Sequence, residues 1–516
     1  MTRTAYGIDF GTTNCSIALM RTDAFSGGRY TPQCFIISPN GTPREVMSSE
    51  ISFDTAGSVV SIGRRARMDV ASGAADKLVD NVKWLLHNDD FRLRFGRNKE
   101  YTSIDLAAMM FDRISQQINA VPHNKPNGIV VGVPVGFSDH EKERLLEAII
   151  KSTIAEGMKK SDIRFLSEPI SAALDYGLEL ESNQKVLVFD FGGGTLDITL
   201  INMSVLEGEV LAKEGGHIGG RRLTTRLLTN LFIPRYGYEK LARELNLPKT
   251  QPEDEILLQC LFESGEGVEL FENLDRCKIE LSNESTSTLF LSRDRLNVNM
   301  TITRSDFEEA IAEELREAHD LVISSLREVS SKSVDMVVMS GGSSYIPAFR
   351  IMLQGIFGKD KVKLSTDALT SVARGLAITG FTSNDGLSAG IDDIVDVPYG
   401  IWDGQNQEIA VIIDKGVKIS ATEIEEARVD GIYETFRLVD TSSPFMKLRI
   451  FQKDEQIGIV EVPIVPNGMD NHFKVFFQVD KDKGWLQIRV YDVSNRKWLT
   501  IPFGKDKIRI RENWEE

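Results

Sequence analysis

Up to about residue 385, short apolar runs alternate with helical stretches and glycine turns. Ile129–Val135 leads into the charged segment Asp139–Gly157, and Val186–Asp190 leads into a glycine turn. Met336–Met339 followed by Gly341–Gly342 repeats the scheme. Alternation of this kind predicts an α/β architecture with helix-covered sheets. Between Ser305 and Val329, apolar residues recur at helical spacing (Phe307, Ile311, Leu315, Ala318, Val322). Glu308, Glu309, Glu313 and Glu314 lie between them, predicting one amphipathic helix with a solvated acidic face.

The pattern changes at Thr382–Gly390 (TSNDGLSAG), which has no periodicity and reads as a loop. Beyond it come period-two runs at Glu408–Ile413, Lys447–Phe451, Ile457–Val462, Lys474–Val479 and Trp485–Tyr491. Turn signals at Asp403-Gly404, Lys415-Gly416, Asn467-Gly468 and Lys483-Gly484 separate them. They predict an all-β domain of about 120 residues. The expected organisation is an α/β part over residues 1–385, a linker over 386–397 and a β domain over 398–516. The two parts are expected to be separate domains joined by Gly390–Val397.

The 516 residues suggest three or so folding units at about 150 residues each. Hydrophobic residues at 41% and charged residues at 26% exclude wholesale disorder. A net charge of −16 argues against a general binder of nucleic acid or anionic membrane, so neither is expected as a partner. No apolar run approaches the ~18 residues of a bilayer span, and Met1–Phe10 has no apolar signal region. Cys15, Cys34, Cys260 and Cys277 lack metal or disulfide-framework spacing, which favours a reduced, cytoplasmic setting.

One motif occurs twice. Tyr6–Thr13 reads YGIDFGTT and Val188–Thr195 reads VFDFGGGT, each a strand, an aspartate, a Gly/Thr turn and a returning strand (Ser16–Met20, Leu196–Ile201). Tight glycine turns present backbone N–H groups to an anion, and threonine hydroxyls add donors. Asp9 and Asp190, at the strand ends, suit a hydrated Mg²⁺. Two such turns from related halves could grip a polyphosphate from both sides. No GxxxxGK[ST] is present, which excludes a P-loop NTPase. Gly341–Gly342, opening the helix Pro347–Phe357, could hold a nucleotide at a helix start.

Five segments resemble the 70-kDa heat-shock, or DnaK-type, chaperone family: YGIDFGTTNCSIALM (6–20), VGVPVGFSD (131–139), IRFLSEPISAALDYGL (163–178), VLVFDFGGGTLDITL (186–200) and VVMSGGSSYIPAF (337–349). The resemblance implies a two-lobed, actin-like ATPase domain followed by a β-sandwich that captures peptides, with ATP/ADP, Mg²⁺ and K⁺ as cofactors. It implies that Gly11, Thr12, Thr13 and Asn14 form the first phosphate turn and Gly192, Gly193, Gly194 and Thr195 the second. Asp9 and Asp190 would hold the Mg²⁺ shell through waters. Lys83 would reach the γ-phosphate, Glu168 would lie near the attacking water, and Thr195 and Asp197 would orient that water. Asp275, Lys278 and Ser282 would hold the adenosine. Gly341, Gly342, Ser343 and Tyr345 would line the adenine side, and Gly219, Gly220 and Asp367 would complete the pocket. Pro169 and Arg164 match positions that couple nucleotide state to linker and substrate domain.

The chain departs from the family at Arg221 and Arg222, where an acidic pair is usual. Tyr345 replaces a basic residue that stacks on adenine, and Lys142 replaces a phosphate-cradling arginine, with Arg144 nearby. These changes bear on nucleotide affinity and on recognition by exchange factors. In the β domain, DDIVDVPYGIWDG (392–404) resembles the family's linker and first strand. Ile401, Phe436, Val439, Met446 and Leu448 then line either an apolar peptide groove or the sandwich core. The family's helical lid is expected to be missing, because the chain ends at Glu516. The implied partners are unfolded or dedicated client polypeptides, a J-domain co-chaperone and a nucleotide exchange factor. Two rival readings are an actin-like scaffolding ATPase with a β-sandwich partner module and a small-molecule kinase on the same fold.

Overall fold

The computed structural model describes residues 4–21, 25–26, 29–30, 33–34, 46–119, 128–177, 183–204, 207–293, 295–329, 333–365, 367–384, 390–404, 406–438, 445–464 and 471–499. The sequence repeat returns as a repeat of topology. One sheet runs Ile163–Ser167, Ile129–Val133, Thr4–Phe10, Asn14–Arg21, Gln33–Cys34, with Met47–Ser48 also on Asn14–Arg21. The other runs Val362–Leu364, Met336–Ser340, Gln184–Phe191, Leu196–Met203, Glu207–Gly216, Gly390–Asp392. In both, an antiparallel hairpin lies beside two parallel strands in the same order. Each hairpin ends in a glycine turn, so the two turns occupy equivalent places in two lobes. The central strands are buried on both faces, which is why they read as continuous apolar runs.

The helices Glu168–Gly177 and Ser371–Asn384 pack against each other between the sheets. A Cβ on Gly375 would lie 2.5 Å from the Ser171 carbonyl carbon, so the crossing requires glycine. Their core also holds Val130, Val188, Val338 and Ile394.

The structure corrects one element expectation. The predicted single helix over 305–329 is two, Arg304–Ala310 and Ala312–Arg327. Thr303 starts the first with a reciprocal capping box to Asp306, and the fully buried Ile311 leaves helical geometry at φ −106°, ψ 15°. The described part of the expected linker, from 390 on, is docked on the preceding part. Gly390–Asp392 pairs in parallel with Glu207–Gly216 as the edge strand of the second sheet. Buried Lys213 holds Asp393 at 2.7 Å, and Gly136 donates its backbone N–H to Asp396 at 2.8 Å.

The β domain is a sandwich of two four-stranded sheets. One comprises Glu408–Ile413, Tyr399–Asp403, Phe445–Gln452 and Glu455–Pro463, the other Tyr433–Leu438, Asn471–Val479, Leu486–Asp492 and Lys497–Leu499. Inward residues at every second position, such as Ile450, Val475, Phe477, Ile488 and Val490, form its core. The sandwich lies against the first lobe. Trp485 packs edge-on to Phe165 at 6.4 Å and joins that lobe's core. Buried Asp139 accepts hydrogen bonds from Tyr399 Oη (2.9 Å) and the Leu486 N–H (2.8 Å). Among the described residues no helix is long and apolar enough to cross a membrane. The residues that bear on a lid, beyond 499, lie outside those described.

Candidate active site

The two hairpin turns face each other across a cleft of about 2140 Å³ between the lobes. A Cβ on Gly193 would lie 2.5 Å from Thr13 Cβ, and one on Gly194 would lie 2.7 Å from Thr12 Cβ. The second turn is braced from behind: Gly192 carbonyl accepts from Gly220 N–H at 3.1 Å and Ser343 Oγ at 2.7 Å, and Gly193 carbonyl accepts from Arg221 N–H at 2.9 Å. Ser49 Oγ donates to the Gly11 carbonyl at 2.7 Å and fixes the first.

Lys83 begins a short 3₁₀ turn, Trp84–His87, and projects into the cleft to pair with Glu168, the first residue of its helix. Both side chains are buried. Asp9, Asp190 and Asp197 share their surroundings. Burial, Glu168 and Asp190 push the Asp9 carboxyl well above its usual range, although Lys83 opposes this. Burial and Glu168 push Asp190 up to about 7. Burial, Glu168 and Asp190 raise Asp197 as well. Burial disfavours the Lys83 ammonium, but Glu168 and Asp9 outweigh it and hold its pKa above the ordinary value. Four carboxyl groups therefore crowd around this ammonium, and one ammonium does not hold all of them ionised. Thr195 Oγ1 donates to Asp197 at 3.0 Å, and Asp197 also accepts the Val135 N–H at 3.0 Å, so Asp197 sits behind Thr195.

At the far end of the cleft Lys278 donates to the Gly220 carbonyl and to Thr224 Oγ1, both at 2.9 Å, and to Asp275 at 2.5 Å. Burial works against the Asp275 carboxylate, yet Lys278 and Thr224 hold its pKa below the usual range. Ser282, Gly341, Gly342 and Ser343 line the same end, with Tyr345 half-exposed at the rim.

Most of the residues expected at the site thus line one cleft: Asp9, Gly11 to Asn14, Lys83, Glu168, Asp190, Gly192 to Thr195, Gly220, Asp275 and Lys278 among them. Three do not line it. Asp197 stands behind Thr195, Gly219 backs onto Gly193, and the Asp367 carboxylate turns to Arg374, leaving Ala368 and Leu369 at the wall. Lys142 and Arg144 are no phosphate cradle. Lys142 donates to the Gly484 carbonyl of the sandwich, and Arg144 pairs with Asp89 and Leu86, because their helix turns this face away from the cleft. Arg164 lies at the interface with the β domain as expected, its neighbour Phe165 donating to the Asp482 carbonyl at 2.9 Å. The proposed groove side chains Ile401, Met446 and Leu448 are in the sandwich core, with Phe436 packed at its edge. Val439 lies outside the described residues.

The chain matches the Hsp70 protein family over residues 5–513. The chain belongs to the Hsp70 family. Curated relatives include the chaperone protein DnaK of Thermotoga neapolitana, 25% identical over 97% of this chain and 80% of the relative. The DnaK of Thermotoga maritima is similar to the same degree, and that of Deinococcus deserti is 28% identical over 88% of this chain and 70% of its own. The protein is an ATP-dependent chaperone of the Hsp70 type with ATPase activity, and the scaffold reading is not favoured.

Sequence reasoning missed three charged residues on the cleft wall: Glu50 and Arg67, which pair with each other, and Asp80, which pairs with Arg221. No local motif marks them, since each pair closes across a long stretch of chain. The basic pair at 221–222 was visible only as a departure from the family pattern.

Proposed function

We propose that residues 1–385 bind Mg²⁺·ATP between the two turns and hydrolyse it, and that residues 386–397 couple this cycle to client capture by residues 398–516. The observation that carries the reading is the buried Lys83–Glu168 pair beside Asp9, Asp190 and Asp197, set between two facing glycine turns. Phosphoryl transfer asks chiefly for positioning and charge neutralisation. Lys83 supplies a fixed ammonium for the γ-phosphate, and the turn N–H groups and threonine hydroxyls supply donors. Glu168, Thr195 and Asp197 hold the attacking water. A hydrated cation beside Asp9 and Asp190 would favour their ionised forms over the raised, protonated ones. Mg²⁺ supplies neutralisation of the phosphate charge when bound. K⁺ rests on the family resemblance alone.

Coupling has a physical route. The Glu168 helix shares its core with Ile394 of the linker, and Val135 and Gly136 bond in turn to Asp197 and to Asp396. A change around Glu168 or Asp197 therefore bears directly on linker docking. A J-domain co-chaperone, an exchange factor and a cytoplasmic setting belong to the same reading, on the strength of the family. Steady-state ATPase turnover with and without an unfolded peptide tests it. Stimulation by peptide is expected, and turnover indifferent to saturating peptide would refute coupling.

A further inference from the structure

Arg221 sits where the lobes meet. Its backbone N–H is bound to the Gly193 carbonyl of the second turn at 2.9 Å. Its side chain crosses the cleft: Nε donates to Asp80 of the first lobe at 3.1 Å, and Nη1 donates to Glu255 of the second at 2.8 Å. Arg221 and Asp80 are mostly buried, whereas Glu255 is 64% exposed, so the inter-lobe arm is the protected one. Asp80 lies three residues before Lys83. The segment between them is a tight turn, with Asn81 in the left-handed region at φ 59° and its carbonyl accepting from the Trp84 N–H at 3.0 Å. A displacement of Asp80 is therefore passed to the start of the turn that carries Lys83. Arg222 and Arg226 do not share this role; both pair with Glu314 on the second lobe.

We propose that Arg221 is a positioning residue that ties the Lys83 segment to the second phosphate turn and latches the lobes over bound nucleotide. The inference rests on the reading of the cleft as the ATP site. A forked guanidinium suits the task, because it can reach carboxylates on two lobes at once while its backbone stays on the turn. Nucleotide leaves when the lobes part, and parting breaks the Arg221–Asp80 arm. Losing one buried charge-assisted contact of this kind should speed release about tenfold. Displacement of Lys83 should also slow the hydrolysis step at saturating ATP.

Release of a fluorescent ADP analogue from the full chain, followed by stopped flow, tests the latch, alongside single-turnover hydrolysis of ATP. Arg221→Ala and the near-isosteric Asp80→Asn should each accelerate release about tenfold, and the double variant no more than either single one, because all three break the same contact. Arg221→Lys should recover part of the loss. A purely structural role would lower the melting temperature without this shared, non-additive change in release. Wild-type release rates in Asp80→Asn, or effects that add in the double variant, would overturn the latch. Asp80→Asn decides the matter even if Arg221→Ala fails to fold. Failure of the wild-type chain to bind the analogue would instead overturn the ATP reading itself.

Discussion

Replacing Lys83 by alanine removes the ammonium that faces Asp9, Glu168, Asp190 and Asp197. The Lys83 and Glu168 side chains are only 6% and 10% exposed, so the pair belongs with buried ion pairs and not with surface ones. Removing one partner of such a pair costs about 3–5 kcal/mol, because a buried charge is left uncompensated. An unfolding entropy of about 2.1 cal/mol/K per residue over roughly 380 residues gives ~0.8 kcal/mol/K, so the ATPase lobes should melt ~5 °C lower. The loss in catalysis should be larger. Deleting one preorganised donor to a developing oxyanion typically costs about 10²–10³ in rate, so turnover should fall at least ~100-fold. Nucleotide affinity should change by less than about tenfold, since the turns and the adenosine end remain. Steady-state phosphate release, calorimetric titration with ATP and differential scanning calorimetry measure the three quantities. Turnover within threefold of wild type, or unaltered melting, would refute the placement of Lys83 at the centre of the site.

Proton linkage gives a second expectation. Asp190, raised to about 7, binds its proton more tightly in the folded chain than in the unfolded one. Its contribution to the stability of nucleotide-free protein is therefore present below about pH 4 and fades as pH rises to about 7. Nucleotide with its cation favours the carboxylate, so binding at pH 6 should release protons, and binding at pH 8 should release few. Titrations in buffers of different ionisation heat read this directly, and identical heats at pH 6 would contradict it. Gly193→Ala should weaken nucleotide binding at least about tenfold while the fold persists, because its Cβ would press on Thr13; unchanged affinity would show that the turns are not apposed in solution. Trp485→Ala should loosen the sandwich from the first lobe, since emptying a packed tryptophan site costs about 3–5 kcal/mol. Faster proteolysis within 390–397 is the expected sign, and wild-type cleavage rates would contradict the docking role.

The twin glycine turns were legible because everything they need is local: a strand, an aspartate and glycines within eight residues of chain. The run Trp485–Tyr491 likewise announced its strand by alternation. Docking of Gly390–Asp392 was not legible, because its partner strand begins at Glu207 and nothing in the stretch 382–390, which reads as a loop although its first three residues end the helix Ser371–Asn384, points there. Lys142 stands where the family has a phosphate-cradling arginine, but which face of a helix meets the cleft is set by packing against the sandwich. The same limit applies to Ile401, Met446 and Leu448, where alternation gives a buried face without saying whether it meets a client or the opposite sheet. Arg221 shows the converse: its oddity was visible in sequence, its partners Asp80 and Glu255 only in three dimensions.

Calorimetric titration of the full chain with Mg²⁺·ATP bears most directly on the facing turns. One nucleotide per chain should bind with clear heat, and Gly193→Ala should abolish or sharply weaken that heat. A folded wild-type protein giving no heat at millimolar nucleotide would contradict the account at its root.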